Sequence, residues 1–148
     1  MKLTLICVGK MKQTYLKEAI QDYVKQMPYT LDIVEVQDEK EITGMPIEEK
    51  RILSKIGPND FVVGLAIKGD MLSSEQFADK LDHWMTYEKK DITFIIGGSY
   101  GFTESIYTRC NYLLSFSRMT FPHQLMRLVL VEQIYRGFQI LKGHPYHK

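Results

Sequence analysis

Residues 92–101, with the sequence ITFIIGGSYG, decide the fold class of this chain. Residues 92–96 are apolar or β-branched, and glycines at positions 97, 98 and 101 follow at once. A short apolar run that ends in glycine predicts a buried strand followed by a loop. Because glycine carries no side chain, a flat ligand can approach the backbone of such a loop closely. Open α/β sheets bind ligands at the carboxyl ends of their strands, so this stretch predicts one wall of a ligand cleft.

A second loop of this kind lies nearer the C-terminus. Residues 116–124, with the sequence FSRMTFPHQ, separate an apolar run from a long helical pattern. This loop offers backbone amides, small hydroxyl groups and aromatic side chains just before a predicted helix N-terminus, where backbone N–H groups are free to bind. Two such loops at strand ends predict that a ligand cleft lies between them.

The rest of the chain alternates between the two periodicities of regular secondary structure. We predict strands over residues 3–8, 31–36, 61–67, 92–96 and 112–116. We predict helices over residues 10–27, 47–56, 103–110 and 122–142, with a further helix that begins in a capping box of Ser73 and Gln76. Residues 38–44 form a charged loop, and Gly143 ends the last helix. Regular βα alternation indicates an α/β fold with a parallel sheet and helices on both faces, and 148 residues fit one domain over positions 1–148.

Charge and cysteine content narrow the class of protein. Residues 111–148 hold five of the 19 basic residues but only one acidic residue, although the whole chain has a net charge of +1. A basic excess beside a cleft suggests an anionic partner, nucleic acid among others, or else a solvated face. The two cysteines, Cys7 and Cys110, are too few for a disulfide framework. With no apolar run of membrane-spanning length and no signal peptide, the expected location is the cytoplasm, away from membranes.

Several specific sites are disfavoured by spacing. The pattern Gly97-Gly98-x-x-Gly101 is not the dinucleotide fingerprint, and no acidic residue follows about 20 positions later to hold a ribose. A nucleotide-dependent oxidoreductase is therefore the weaker interpretation, and an ordinary tight turn also explains the glycines. Only His144 and His147 are closely spaced among the histidines, and no cysteine or acid adjoins them, so no metal site is predicted.

The C-terminal helix pattern gives further expectations. Glu132 and Arg136 are four residues apart and predict a surface ion pair. Arg127 and Arg136 are about half a turn out of phase and cannot share one basic stripe. We expect five apolar or aromatic residues to lie in the core: Phe116, Phe121, Tyr135, Phe138 and Leu141. The helix is apolar on more than one face, which predicts a partner beyond the sheet.

With these loops and the C-terminal helix, the chain resembles the SPOUT-type ribosomal RNA large-subunit methyltransferase H family. The matching segments are residues 1–10 (MKLTLICVGK), 95–101 (IIGGSYG), 112–141 (including LSFSRMTFPHQLMR and VEQIYRGFQI) and the terminal HPYHK of residues 144–148. The resemblance extends from end to end. Two departures from the family pattern are a shorter segment over residues 38–51 and Ala66 after Leu65, where an acidic residue is common.

The resemblance implies a C-terminal trefoil knot, a homodimer and S-adenosyl-L-methionine as the methyl donor. The implied substrate is 23S rRNA in the assembled 70S ribosome, methylated at N3 of a pseudouridine; DNA is not an expected partner. Carried over residue by residue, the cofactor contacts are Leu65, Gly97, Phe116, Ser117, Arg118, Met119, Thr120 and Phe121.

The chemistry that the resemblance implies needs a proton acceptor and a stabilising charge. The imide nitrogen of pseudouridine is protonated at neutral pH, so His147, Tyr146 and His123 are candidate bases. Arg127 or Lys148 could stabilise the imide anion instead. The alternative function is a non-catalytic RNA- or ribosome-binding α/β module that retains an empty cleft.

Overall fold

A computed structural model describes all residues from 1 to 148 and shows five parallel strands with five α-helices. The strands are β1 (Leu3–Val8), β2 (Leu31–Val36), β3 (Phe61–Met71), β4 (Ile92–Ile96) and β5 (Tyr112–Ser115). The helices are α1 (Thr14–Val24), α2 (Met45–Leu53), α3 (Ser74–His83), α4 (Glu104–Arg109) and α5 (His123–Leu141). The strand order is β2-β1-β4-β3-β5, and every neighbouring pair is parallel. The predicted α/β fold with a parallel sheet is therefore confirmed.

Helices cover both faces of the sheet. Alternate residues of β1 point in opposite directions, so Leu5 and Cys7 join one apolar cluster while Ile6 joins another. The first and larger cluster includes side chains of α1, α3 and α5, and the second includes Ile52 of α2 and Ile106 of α4. Each large apolar side chain that is fully buried contributes about 1.5–3 kcal/mol, so both faces stabilise the sheet.

The first two helices differ at both ends from the sequence prediction and end at Val24 and Leu53 rather than at positions 27 and 56. The first helix begins at Thr14 rather than at position 10. The segment before it is held by tertiary contacts: Met11 N–H donates to Glu35 Oε2 at 2.7 Å and Lys12 N–H donates to Gln124 Oε1 at 3.1 Å. The second helix begins at Met45 and follows a 3₁₀ turn over Ile42–Gly44, so part of the predicted charged loop is helical.

Strand β3 is longer than its apolar run predicted. It continues to Met71 because its far end pairs with β5. Leu65 and Asp70 both pair with Leu114, so residues 66–69 bulge out of the ladder between them. The capping box after this strand is confirmed: Gln76 N–H donates to Ser73 Oγ at 3.0 Å, and Ser73 N–H donates to Gln76 Oε1 at 2.8 Å.

The core predictions for the C-terminal third are partly confirmed. Tyr135 and Phe138 are buried, and Phe116 packs against the larger cluster. The prediction was wrong for Phe121, which is 39% exposed in the loop before α5, and for Leu141, which is 41% exposed at the last turn of that helix. No helix of the protein has both the length and the apolar character needed to span a membrane.

Candidate functional site

A cavity of about 520 Å³ opens at the carboxyl edge of the sheet, where β3, β4 and β5 end. Its walls are the two predicted loops, the bulge of β3 and the N-terminal turn of α5. The residues from these elements are Leu65, Ala66, Ile67, Lys68, Ile96, Gly97, Gly98, Ser99, Gly101, Phe102, Tyr107, Leu114, Ser115, Phe116, Ser117, Met119, Thr120, Phe121, His123 and Met126. Seven of the eight predicted cofactor residues line it, and Arg118 alone does not.

The glycine loop is both a tight turn and a wall of the cavity. Gly98 and Gly101 form an antiparallel bridge, and Gly101 N–H donates to Gly98 O at 3.0 Å. A Cβ atom at Gly97 would lie 3.0 Å from the ring of Phe102 and 3.2 Å from Gly101 O, closer than side chains normally approach. Gly97 therefore lets the chain fold back on itself while its backbone faces the ligand space.

The second loop is held by its own serines. Ser115 donates its hydroxyl hydrogen to Ser117 O at 3.0 Å, and Met119 N–H donates to Ser117 Oγ at 2.9 Å. These bonds turn the chain sharply after β5 and leave Met119 72% exposed at the mouth of the cavity. An exposed methionine and the half-covered Phe121 give the mouth an apolar rim that a base or a partner surface can cover.

Sequence reasoning placed Leu65 of β3 at the site but missed the rest of the wall formed by β3 and α4. Ala66, Ile67 and Lys68 reach the cavity because residues 66–69 leave the ladder, and no periodicity predicts where a ladder will be interrupted. Phe102 and Tyr107 also line it, and their rings meet edge to face at a centroid distance of 5.5 Å. Phe102 comes directly after the glycine loop, which was the one available signal for it.

His123 begins α5 and is the only histidine that lines the cavity. Burial lowers its pKa below the ordinary value, and the positive charges of Arg127 and Lys12 lower it further, against the opposing effect of Asp38 and Glu48. The imidazole is therefore uncharged near neutral pH and can accept a proton.

Arg127 lies one helical turn after His123 but does not line the cavity. It is 1% exposed. Its guanidinium donates to Glu35 Oε2 at 2.7 Å, to Val8 O at 3.1 Å and to Gly9 O at 2.7 Å. These bonds join α5 to the ends of β1 and β2. The geometry favours a structural role for Arg127, and its stabilisation of a substrate anion stays a prediction.

The C-terminal tail folds onto α5 and α3. The hydroxyl of Tyr146 donates to Glu132 Oε1 at 3.0 Å, and its ring packs against Tyr135 at a centroid distance of 5.0 Å. Burial and hydrogen bonds to Tyr23 and Glu132 raise the pKa of Tyr146, so its hydroxyl stays protonated. The tail is thus ordered against the helix rather than extended from it.

His147 lies between two charged side chains. Its Nδ1 is 3.0 Å from a guanidinium nitrogen of Arg136, and its Nε2 is 2.5 Å from Glu75 Oε1. The bond to His147 is the main cause that lowers the pKa of Glu75. Arg136 also pairs with Glu132 at 2.6 Å, which confirms that predicted ion pair.

The tail and the cavity are far apart within one chain. His123 and Arg136 are separated by 13 residues of one helix, which corresponds to about 20 Å along its axis. The structure therefore brings together the predicted cofactor residues, but it holds Tyr146 and His147 at the opposite end of α5. His123 is the one candidate base at the cavity of its own chain.

Comparison with known proteins decides the family. A family model described as "Predicted SPOUT methyltransferase" matches residues 1–147. The chain belongs to the SPOUT methyltransferase family. Two SPOUT relatives match it over their whole length and over all of this chain, and both are named ribosomal RNA large subunit methyltransferase H. The one from Acholeplasma laidlawii is 54% identical over 148 residues, and the one from Bacillus pumilus is 48% identical over 159 residues.

A solved structure shares the fold of this chain. It is a probable methylase family protein from Haemophilus influenzae with a TM-score of 0.54 and 13% identity, and the match covers 95% of this chain and 66% of that chain. In this SPOUT chain no group of three or more histidine, cysteine or acidic residues is placed to hold a metal ion.

Proposed function

We propose that this protein transfers a methyl group from S-adenosyl-L-methionine to N3 of a pseudouridine in 23S rRNA. The observation that carries the proposal is the cavity at the carboxyl edge, which is lined by seven of the eight residues matched to the family's cofactor contacts. It occurs in a chain that is 54% identical, end to end, to a protein named ribosomal RNA large subunit methyltransferase H.

The cavity fits the chemical character of this cofactor. Phe102, Phe116 and Phe121 supply apolar faces for an adenine ring. The glycine loop exposes backbone N–H and C=O groups, and Ser99 and Thr120 add hydroxyl groups, so polar edges of the ring and the ribose find partners. The residues that line the space thus offer both of the surfaces that a nucleoside needs.

The protein's contribution to the reaction is positioning and proton removal. When bound, the cofactor supplies an electrophilic methyl group on a sulfonium centre. The cavity walls fix its orientation, and positioning of this kind can supply roughly 7–11 kcal/mol of the barrier. His123, uncharged and at the cavity, is placed to accept the imide proton, and a positioned base contributes about 10²–10⁴-fold.

We also propose a homodimer in which the tail of one copy serves the cavity of the other. About 20 Å of helix separates His123 from Arg136, beside which the tail is held, so the tail of one chain is remote from its own cavity. Leu125 is 38% exposed at the N-terminal end of α5 and Leu141 is 41% exposed at the C-terminal end, which suits a helix that packs on a second copy. A partner's Tyr146, His147 and Lys148 would then contact the RNA beside the cavity.

The remaining elements of the proposal follow from the family. Residues 1–148 act as one domain with a C-terminal trefoil knot, in the cytoplasm, on the assembled 70S ribosome. The basic excess of residues 111–148 supports an RNA partner, because phosphate contacts supply much of the affinity for nucleic acids.

The decisive experiment is methylation of 70S ribosomes from a strain that lacks the enzyme, read by mass spectrometry of the 23S rRNA. Free 23S rRNA and separate 50S subunits serve as controls for the ribosomal context. Calorimetry with S-adenosylmethionine separates this proposal from a non-catalytic RNA-binding module, which need not bind the cofactor. A protein that binds ribosomes but neither binds the cofactor nor methylates would contradict the proposal.

A further inference from the structure

One cation faces the cavity. Lys68 is the only residue lining it that carries a formal charge at neutral pH, because the walls contain no aspartate or glutamate and the pKa of His123 is lowered. Lys68 forms no salt bridge within the protein. Its Nζ lies 3.6 Å from the centroid of the Tyr107 ring, which also lines the cavity.

The bulge of β3 fixes Lys68 in this position. Pairing of Leu65 and Asp70 with the same residue of β5 forces residues 66–69 out of the ladder. Gly69 allows this, because a Cβ atom there would lie 2.6 Å from the backbone of Leu113. The Tyr107 ring then holds the ammonium group by a cation–π contact, which limits its motion while leaving its charge without an anionic partner.

We propose that Lys68 binds the carboxylate at the amino-acid end of S-adenosylmethionine; the inference rests on the proposed function. The glycine loop and the loop over residues 116–121 offer uncharged and aromatic walls, which suit the nucleoside end. The bulge of β3 offers the one positive charge, and the amino-acid carboxylate is the one negative charge of the cofactor. Charge complementarity therefore assigns the two ends of the cofactor to opposite walls.

The test compares two ligands that differ only in the carboxylate. Calorimetry measures the affinity of wild type and of Lys68→Met for S-adenosylmethionine and for its decarboxylated form. Methionine keeps most of the lysine stem but removes the charge, and Lys68→Arg keeps the charge as a rescue. Lys80→Met is the matched control, since Lys80 also lies over a tyrosine ring, Tyr112 at 5.2 Å, but outside the cavity.

We expect Lys68→Met to weaken the binding of S-adenosylmethionine by up to about fivefold, which is the range of exposed ion pairs. The affinity for the decarboxylated ligand should stay unchanged. The loss should shrink at high salt, be restored by Lys68→Arg and be absent in Lys80→Met.

An equal loss of affinity for both ligands in Lys68→Met would overturn the assignment, because it would show that the Lys68 side chain acts by packing and not by charge. Unchanged cofactor affinity with salt-dependent loss of ribosome binding would also overturn it and make an RNA phosphate the partner of Lys68. Failure of the wild-type protein to bind S-adenosylmethionine at all would overturn the proposed function together with this inference.

Discussion

The two ends of α5 each carry an arginine paired with a glutamate, yet the two arginines are held in different ways. Arg127 has a side chain that is 2% exposed, and its partner Glu35 lies on strand β2. Arg136 has a side chain that is 25% exposed, and its partner Glu132 lies one turn away on the same helix. The first pair fastens the helix to the sheet, whereas the second forms a surface on which the tail rests. Similar ion pairs thus fasten the helix to the sheet at one end and support the tail at the other.

Replacing Arg127 by methionine should give the largest effect on folding. We expect the free energy of unfolding to fall by about 3 kcal/mol, because removal of the buried guanidinium leaves the Glu35 carboxylate without its cation and the carbonyl oxygens of Val8 and Gly9 without this donor. Arg136→Met should lower the free energy of unfolding by about 1 kcal/mol or less, since the ion pair of Arg136 with Glu132 is partly solvated. Urea denaturation of both variants measures the difference, and equal losses would contradict the distinction between the two ends.

Deletion of residues 146–148 should show the opposite pattern at the other end. We expect ribosome methylation to fall by about 100-fold or more, which corresponds to about 2.8 kcal/mol of lost contacts between the tail and RNA phosphates and bases, while cofactor affinity remains near that of wild type. Lys148→Ala should weaken ribosome binding in a salt-dependent way, because about one phosphate contact is lost. If His147 rather than His123 removes the imide proton, His147→Gln should lower turnover more than binding. Full-rate methylation by the truncated protein would remove the tail from the mechanism.

Gly97→Val tests the cavity beside the N-terminal end of α5. A side chain at this position would meet Phe102 and the carbonyl of Gly101, so the loop must shift away from its present course. We expect cofactor affinity to fall by about tenfold or more, which corresponds to about 1.4 kcal/mol. Circular dichroism checks that the variant is folded, and a folded variant with unchanged affinity would place the cofactor elsewhere.

The smallest expected effect concerns the pKa of His123. Because its pKa is lowered from 6.5 in the folded protein, the unfolded chain binds the proton first as the pH falls. Stability should therefore decline as the pH drops below 6.5 toward the lowered folded pKa, and His123→Gln should remove that part of the decline.

Arg127 links this titration to the comparison of the two arginines. Its positive charge helps to lower the pKa of His123, so Arg127→Met should raise that pKa and Arg136→Met should not. NMR titration of the imidazole protons measures both. A His123 pKa that is the same in wild type and Arg127→Met would show that Arg127 does not contribute to lowering it.

The sequence predicted the elements whose signals are local. Strand β4 and the glycine loop follow directly from an apolar run next to glycines, and the capping box of Ser73 and Gln76 is a four-residue pattern. Seven of the eight predicted cofactor residues meet in one cavity because carboxyl ends of neighbouring parallel strands share an edge.

Features that depend on distant pairing were not predictable. The burial of Arg127 depends on Glu35 and two carbonyl oxygens more than ninety positions away, so its sequence neighbours give no sign of it. The attachment of the tail depends on Glu75 of α3 and on Glu132. Phe121 is apolar yet exposed because it lies in the loop before α5, outside the core. Residue type alone does not reveal this position.

The bulge of β3 lets the cavity wall change without a change in the register of the sheet. Because Leu65 and Asp70 already share one partner, residues can be inserted or deleted between them without shifting the register of the sheet on either side. One wall of the cavity can therefore change length and charge while the strands that support it stay in place. Provided that a glycine remains where β5 comes close, ligand preference at this wall is free to diverge among proteins with the same sheet.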